Sequence, residues 1–161
     1  MADPTNHGFV YRLNRDHVLV AAVEVAMRAR ATVLERLASA VEALVPAPTH
    51  VAVFGSFARG DGTPHSDIDV LVLLEPGHRL DDAAWVEQMR HLGEQVLSWT
   101  GNRAEMLVLE SEAFSLSIRT GEPIIAALLE ESIQLQGLPL EELVRRQAAH
   151  TPPDEPRPSS E

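Results

Sequence analysis

Two short apolar runs, 51–54 and 70–74, enclose a turn that opens with Gly55 and Ser56. Runs of this length that are rich in β-branched residues and bounded by glycine are typical of buried β-strands. The chain is therefore predicted to turn sharply at the end of one strand of a sheet and to return along a second strand.

Two aspartates, Asp67 and Asp69, stand at the start of the second run at positions i and i+2. Successive side chains of a strand point to opposite faces, so the two carboxylates are expected to share one face, while Ile68 and Val70 share the other. Ionised carboxylates this close repel each other, and a divalent cation beside them relieves the repulsion. Hard oxygen ligands suit Mg²⁺ or Mn²⁺, which take their remaining ligands from water and from substrate phosphates. The pair therefore predicts a metal site that works on a nucleotide.

The turn upstream of the aspartates supplies groups that favour an anion. Gly55 has no Cβ, so the backbone can approach a ligand closely. Ser56 stands at the predicted start of a short helix, where its hydroxyl and the free N–H groups favour a phosphate. Arg59 adds a charge-assisted contact to a phosphate. Ser66, which alone is most often a cap or turn residue, completes the predicted nucleotide-binding set.

The sequence GSFARGDGTPHSDIDVLVLL at 55–74 resembles the signature of the polymerase-β-type nucleotidyltransferase superfamily. The ten residues between Ser56 and Asp67 are similar in number to those of the minimal, antitoxin-like nucleotidyltransferases of prokaryotes. The resemblance implies that Gly55 and Ser56 hold a nucleoside triphosphate such as ATP, and that Asp67 and Asp69 hold the metal ions. It also implies a third carboxylate on a later strand, which orients or deprotonates the attacking hydroxyl.

The third carboxylate is sought in the next apolar run, 103–109, which follows a helix-like stretch and a turn. Glu105 is a lone acid in this run and fits the third position, as a catalytic residue and metal ligand. Glu110 and Glu112 remain alternatives. If no acid is correctly placed, the protein could bind nucleotide and metal without turnover.

The predicted architecture is α+β, with a small mixed β-sheet of the nucleotidyltransferase type flanked by helices. At 161 residues and 45% hydrophobic content the chain can bury one core. Residues 1–15 are predicted to form an N-terminal segment with a possible docking strand, 16–149 the nucleotidyltransferase domain, and the proline-rich residues 150–161 a disordered tail. Helical periodicity predicts one long N-terminal helix and four further helices, over 16–44, 81–99, 111–119, 123–134 and 139–149.

Composition limits the choice of cellular compartment and of substrate class. The chain has no cysteine, no apolar run long enough for a membrane span and no visible signal peptide, so we expect a cytoplasmic protein without disulfides. The formal net charge of −11 disfavours long nucleic acid, because such partners are held by gathered positive charge. The acceptor is expected to be a protein side chain or a small molecule.

Three functions remain open from the sequence. The first is transfer of AMP from ATP to a hydroxyl of a protein partner, as antitoxin-type members of the family do to a HEPN-type toxin. The second is transfer to a small molecule of the aminoglycoside type, whose enzymes usually carry a sizeable C-terminal helical domain. The third is a nucleotide-binding regulatory or antitoxin module without turnover. The acceptor, the base preference and the oligomeric state, including a dimer, are left open.

Overall fold

The computed structural model describes residues 2–5, 8–75 and 77–149, which form helices and strands of an α+β fold. The predicted tail 150–161 lies outside the described residues. The N-terminal elements are two short strands and a long helix: β1 (Ala2–Thr5), β2 (Gly8–Tyr11) and α1 (Val20–Val41). The turn region comprises β3 (His50–Phe54), α2 (Gly55–Arg59) and β4 (Ile68–Leu74). The remaining elements are α3 (Ala83–Thr100), β5 (Ala104–Glu110), α4 (Ser111–Thr120), α5 (Pro123–Glu131), β6 (Ile133–Gly137) and α6 (Leu140–Ala149).

A mixed sheet of four strands, in the order β5-β4-β3-β6, forms the centre of the fold. β3 pairs antiparallel with both β4 and β6, whereas β4 and β5 run parallel. The register places Asp69 opposite Phe54 on one side and opposite Glu105 on the other. The predicted small mixed sheet is thereby confirmed.

The two faces of β4 pack against different helices. Ile68, Val70 and Val72 belong to a buried cluster on the side of α1 and α3, together with Leu37, Val41, Trp85, Leu92 and Val96. Leu71 and Leu73 belong to a second cluster, with Phe114, Ile125, Leu128, Leu140 and Leu143 of the C-terminal helices. The strand alternation therefore gives the sheet two covered faces.

The long N-terminal helix is shorter than predicted at both ends. It begins at Val20 rather than Asp16, because residues before it form turns in which Val20 donates its N–H to the carbonyl of His17 at 2.9 Å. It ends at Val41, after which Leu44 donates to the Val41 carbonyl in a turn. Its buried residues, Leu37 and Val41, both lie in its C-terminal half. No helix in the described residues is long and apolar enough to span a membrane.

The helix predicted over 123–134 is wrong in its last residues. α5 ends at Glu131, and β6 follows at once and pairs with β3. The apolar residues Ile133 and Leu135 alternate with glutamines, which is the period of a strand. The pairing also covers the edge of β3, whose N–H and C=O groups would otherwise lie unpaired.

Candidate active site

The turn after β3 is shaped around a close approach between Gly55 and Asp69. Gly55 opens α2 with a φ angle of +68°, which L side chains rarely adopt. A Cβ built at this position would lie 2.2 Å from Oδ2 of Asp69. Only glycine therefore allows the first turn of α2 to sit against this carboxylate.

The three acids predicted from the sequence are near one another. Asp69 of β4 stands in register with Glu105 of β5, so both side chains leave the same face of the sheet. Asp67 is exposed and lies just before β4, which begins at Ile68, so strand periodicity does not by itself set its direction. Burial raises the pKa of the Asp69 carboxyl above its ordinary value, and the charges of Asp67 and Glu105 raise it further.

This donor set fits a divalent cation that shares its ligands with a substrate. Among the described residues no three acidic or histidine side chains already converge as a closed metal site. Mg²⁺ does not need such a cage, because it is commonly held by one or two carboxylates, water and substrate phosphates. Mutual repulsion among Asp67, Asp69 and Glu105 would also be relieved by a bound cation.

Hydrogen bonds fix the loop between α2 and β4 both where it begins and where it ends. The Ser56 carbonyl accepts from the N–H groups of Gly60, Asp61 and Gly62 at 3.0, 3.1 and 3.2 Å. Further along, the amide Nδ2 of Asn102 donates to the carbonyls of Pro64 and Ser66 at 3.0 and 2.9 Å. The sequence reasoning missed Asn102, whose only signal was its place in the turn before β5.

Ser66, predicted to bind nucleotide, lies within this loop and forms bonds inside it. Its hydroxyl accepts from the Thr63 N–H at 2.9 Å and lies 3.0 Å from the Thr63 hydroxyl. The Ser66 N–H donates to the Thr63 carbonyl at 3.0 Å. Ser66 therefore shapes the segment that leads to Asp67.

Arg59, also predicted to contact phosphate, stands at the C-terminal end of α2 between two carboxylates. Its Nε donates to Oδ2 of Asp61 at 3.1 Å, and its Nη1 donates to Oε2 of Glu131 at 2.7 Å. Glu131 is the last residue of α5 and was not predicted as part of the site, because no sequence motif connects it to the turn. The structure thus adds a carboxylate from the C-terminal helices.

A cavity of about 630 Å³ opens beside the same loop, between α1 and α2. Phe57 and Ile68 contribute apolar surface to it, and Asp67 and Asn102 contribute polar groups. Arg30 also lines it and donates Nε to the Phe57 carbonyl at 3.0 Å. The cavity therefore borders the site at Asp67.

A family model described as a nucleotidyltransferase domain matches residues 34–115 of the 161. The chain belongs to this family. The match covers the turn, both aspartates and Glu105, so the residues brought together above are those of a nucleotidyltransferase domain. Glu131 lies beyond the matched segment.

Solved structures of toxin–antitoxin pairs resemble the nucleotidyltransferase fold of this chain. A chain from a variant of the pair MntA–HepT aligns with a TM-score of 0.51 and 16% identity, over 72% of this chain and 84% of the other. A toxin–antitoxin structure with AMP-PNP gives a TM-score of 0.49 and 17% identity, over 72% and 84%. The complex of a tri-AMPylated HEPN toxin from Shewanella oneidensis with its MNT antitoxin gives 0.47 and 15%, over 74% and 84%. No curated protein matches the sequence.

Proposed function

We propose that this protein is a metal-dependent nucleotidyltransferase that moves AMP from ATP to a hydroxyl of a protein partner. The observation that carries the proposal is the contact of Gly55 with Asp69, which in turn stands in register with Glu105. This arrangement joins a turn suited to phosphate with carboxylates suited to Mg²⁺.

Each residue has a role in the proposed transfer. The turn of Gly55 and Ser56 seats the triphosphate, and Asp67 and Asp69 hold Mg²⁺, or Mn²⁺ in its place. The ion neutralises phosphate charge and lowers the pKa of the acceptor hydroxyl when bound. Glu105 completes the metal site or accepts the proton of that hydroxyl.

The reaction forms one bond and breaks one. The acceptor oxygen bonds to the α-phosphorus, while the bond from that phosphorus to the oxygen bridging the α- and β-phosphates breaks. Pyrophosphate leaves with the electron pair, AMP stays on the acceptor, and the hydroxyl proton passes to Glu105 or to water.

The charge around the turn supports dependence on a metal. Arg59 is accompanied by five carboxylates: Asp61, Asp67, Asp69, Glu105 and Glu131. Arg30, which donates to the backbone of α2, adds a second guanidinium, but two cannot balance five carboxylates as well as a triphosphate, so we expect ATP to bind together with a divalent cation.

A protein acceptor is favoured over a small molecule or a long nucleic acid. The helices α4, α5 and α6 contribute to the cluster that covers one face of the sheet, so they are part of the core and not a separate domain for a drug. The formal net charge of −11 opposes a polyanion. Since a chain of the same fold occurs in the pair MntA–HepT, a HEPN-type toxin is the first candidate partner.

The test is transfer of labelled AMP from α-labelled ATP, with Mg²⁺, to a candidate toxin. We expect Asp67→Asn and Asp69→Asn to reduce labelling by about a thousandfold, since several kcal/mol of metal stabilisation are lost. Asp81→Asn is the matched control, because Asp81 is exposed and precedes α3. Binding of ATP without metal-dependent labelling of any acceptor would indicate a nucleotide-binding module instead.

A further inference from the structure

An ion pair joins the helix that carries Arg59 to the C-terminal helices. The 2.7 Å bond from Arg59 Nη1 to Glu131 Oε2 joins the end of α2 to the end of α5, residues that are 72 positions apart in the chain. The Glu131 side chain is 20% exposed, compared with 61% for Asp61, the other carboxylate on Arg59. Glu131 is therefore the better shielded of the two partners.

Glu131 is not placed where it helps its own helix. A carboxylate at a helix C-terminus faces the negative end of the helix dipole, which is unfavourable. The guanidinium of Arg59 offsets this repulsion. The bond to Arg59 of α2 therefore accounts for a carboxylate at this end of α5.

Both members of the pair act electrostatically on the centre of the site. The charge of Arg59 lowers the pKa of the Asp69 carboxyl, and the charge of Glu131 raises it. The five-residue helix α2 begins at Gly55, directly against Asp69, and ends at Arg59, so the guanidinium lies about one helical turn from the carboxylate. Within the described residues its hydrogen bonds use Nε and Nη1, which leaves Nη2 for a ligand.

We propose that Glu131 is a positioning residue of the transfer reaction, which fixes the Arg59 guanidinium beside Asp69 so that Nη2 donates to a phosphate of ATP. This inference rests on the proposed function. A planar guanidinium that already bonds two carboxylates has fewer orientations than a free one before ATP arrives, so less entropy is lost on binding. Glu131 acts through Arg59 and makes no contact with the reacting atoms.

The test compares four variants in steady-state transfer from ATP: Glu131→Gln, Arg59→Gln, the double variant, and Glu130→Gln as control. Glu130 is the exposed neighbour of Glu131 in α5, so its substitution removes the same charge without touching Arg59. We expect Glu131→Gln to raise KM for ATP about tenfold with a much smaller change in kcat, because a charge-assisted contact to phosphate is weakened. Glu130→Gln should behave as wild type.

The double variant separates positioning from a structural role. If Glu131 acts through Arg59, the double variant should be no worse than Arg59→Gln alone. Additive losses, or an unchanged KM in Glu131→Gln, would overturn the inference.

Binding of ATP with Mg²⁺, measured by calorimetry, distinguishes this inference from the proposed function. A wild-type protein that binds ATP but transfers nothing overturns the proposed function, and a weaker affinity in Glu131→Gln would still support the role of Glu131. An unchanged affinity in that variant overturns the inference. Failure of the wild type to bind ATP overturns both.

Discussion

A glycine with a positive φ angle lies at each end of β3, but the two glycines have different neighbours. Gly55 follows one end with a φ angle of +68°, and Gly137 packs against the other with a φ angle of +88°. A Cβ at Gly55 would meet a carboxylate oxygen of Asp69 at 2.2 Å, whereas a Cβ at Gly137 would meet the backbone oxygen of Thr49 at 2.0 Å. A side chain can rotate away but a paired backbone cannot, so the first glycine is expected to serve chemistry and the second stability.

The same division runs along β5. Glu105 stands in register with Asp69 at the end of the sheet near the turn, and Glu110 stands in register with Leu74 at the far end. Five positions separate them, so they leave opposite faces of the strand. The sheet therefore has a charged end near Gly55 and a packed end near Gly137.

The largest effect on transfer is expected when one of the two acids of β5 is replaced by glutamine. Glu105→Gln should lower transfer by about a thousandfold, since it removes a metal ligand or general base. Glu110→Gln should stay within about twofold of wild type. Rates of AMP transfer at saturating ATP measure both effects. A large loss in Glu110→Gln, without one in Glu105→Gln, would show that Glu110 and not Glu105 is the third carboxylate.

Gly137→Ala tests the packed end. We expect it to lower the free energy of unfolding by about 3 kcal/mol or more, because the strained φ angle and the clash with the Thr49 backbone add together. Urea denaturation gives the value. Gly77→Ala is the matched control, because Gly77 also has a positive φ angle of +88° but no atom within 4 Å of its Cβ position. Equal losses in the two variants would show that backbone strain alone accounts for the cost.

Gly55→Ala tests the charged end with the same change. The added methyl group should displace the Asp69 carboxylate and reduce transfer by about a hundredfold. The loss of unfolding free energy should be smaller than for Gly137→Ala, since the clashing atom belongs to a side chain. If Gly55→Ala unfolds the protein more than Gly137→Ala, the contrast between the two ends is wrong.

The smallest expected effect concerns His50, the buried residue at the packed end of β3. Burial lowers the pKa of His50, its Nδ1 donates to the Leu138 carbonyl at 2.7 Å, and its buried Nε2 lacks a hydrogen-bond partner. A depressed pKa in the folded state means that the unfolded chain binds the proton more tightly. Stability should therefore fall as the pH drops through the ordinary pKa of histidine, about 6.5.

Denaturation curves of the wild type and His50→Gln across this pH range check the prediction. The variant should lose the part of the pH dependence that His50 contributes. Parallel profiles for the two proteins would show that His50 does not couple protonation to folding.

The central strands could be predicted from sequence because their apolar runs are continuous and bounded by turn residues. The sequence predicts strands over about 50–54 and 68–74, which are the bounds of β3 and β4, and β5 is displaced by one residue from the run 103–109. β6 was missed because the helical pattern of α5 runs directly into it, and pairing with β3 decides its conformation. Alternation of Ile133 and Leu135 with glutamines was the available signal.

The local parts of the candidate site could be predicted as well, and the distant ones could not. Gly55 follows β3 and Asp69 lies on the paired strand β4, so strand and turn geometry were enough to predict their approach. Asp67 lies just before β4, where strand periodicity does not set its direction. Asn102 reaches the site from the turn before β5, and Glu131 reaches it from the end of α5, so the tertiary fold and not a local motif brings them there. The roles assigned to Asp67, Asp69 and Glu105 stay predictions for the variants above to test.

The parallel pairing of β4 with β5 also sets the order in which the site can be completed during folding. The antiparallel pair β3 and β4 is close in sequence, but Glu105 reaches Asp69 only after α3 has crossed between the parallel strands. Contacts across longer loops form more slowly, because more chain entropy is lost before they are made. In a chain emerging from the ribosome, the two aspartates would thus be placed at the site first, Glu105 later and Glu131 last. A partly folded chain could collect a metal ion, but it would not yet have the groups for transfer.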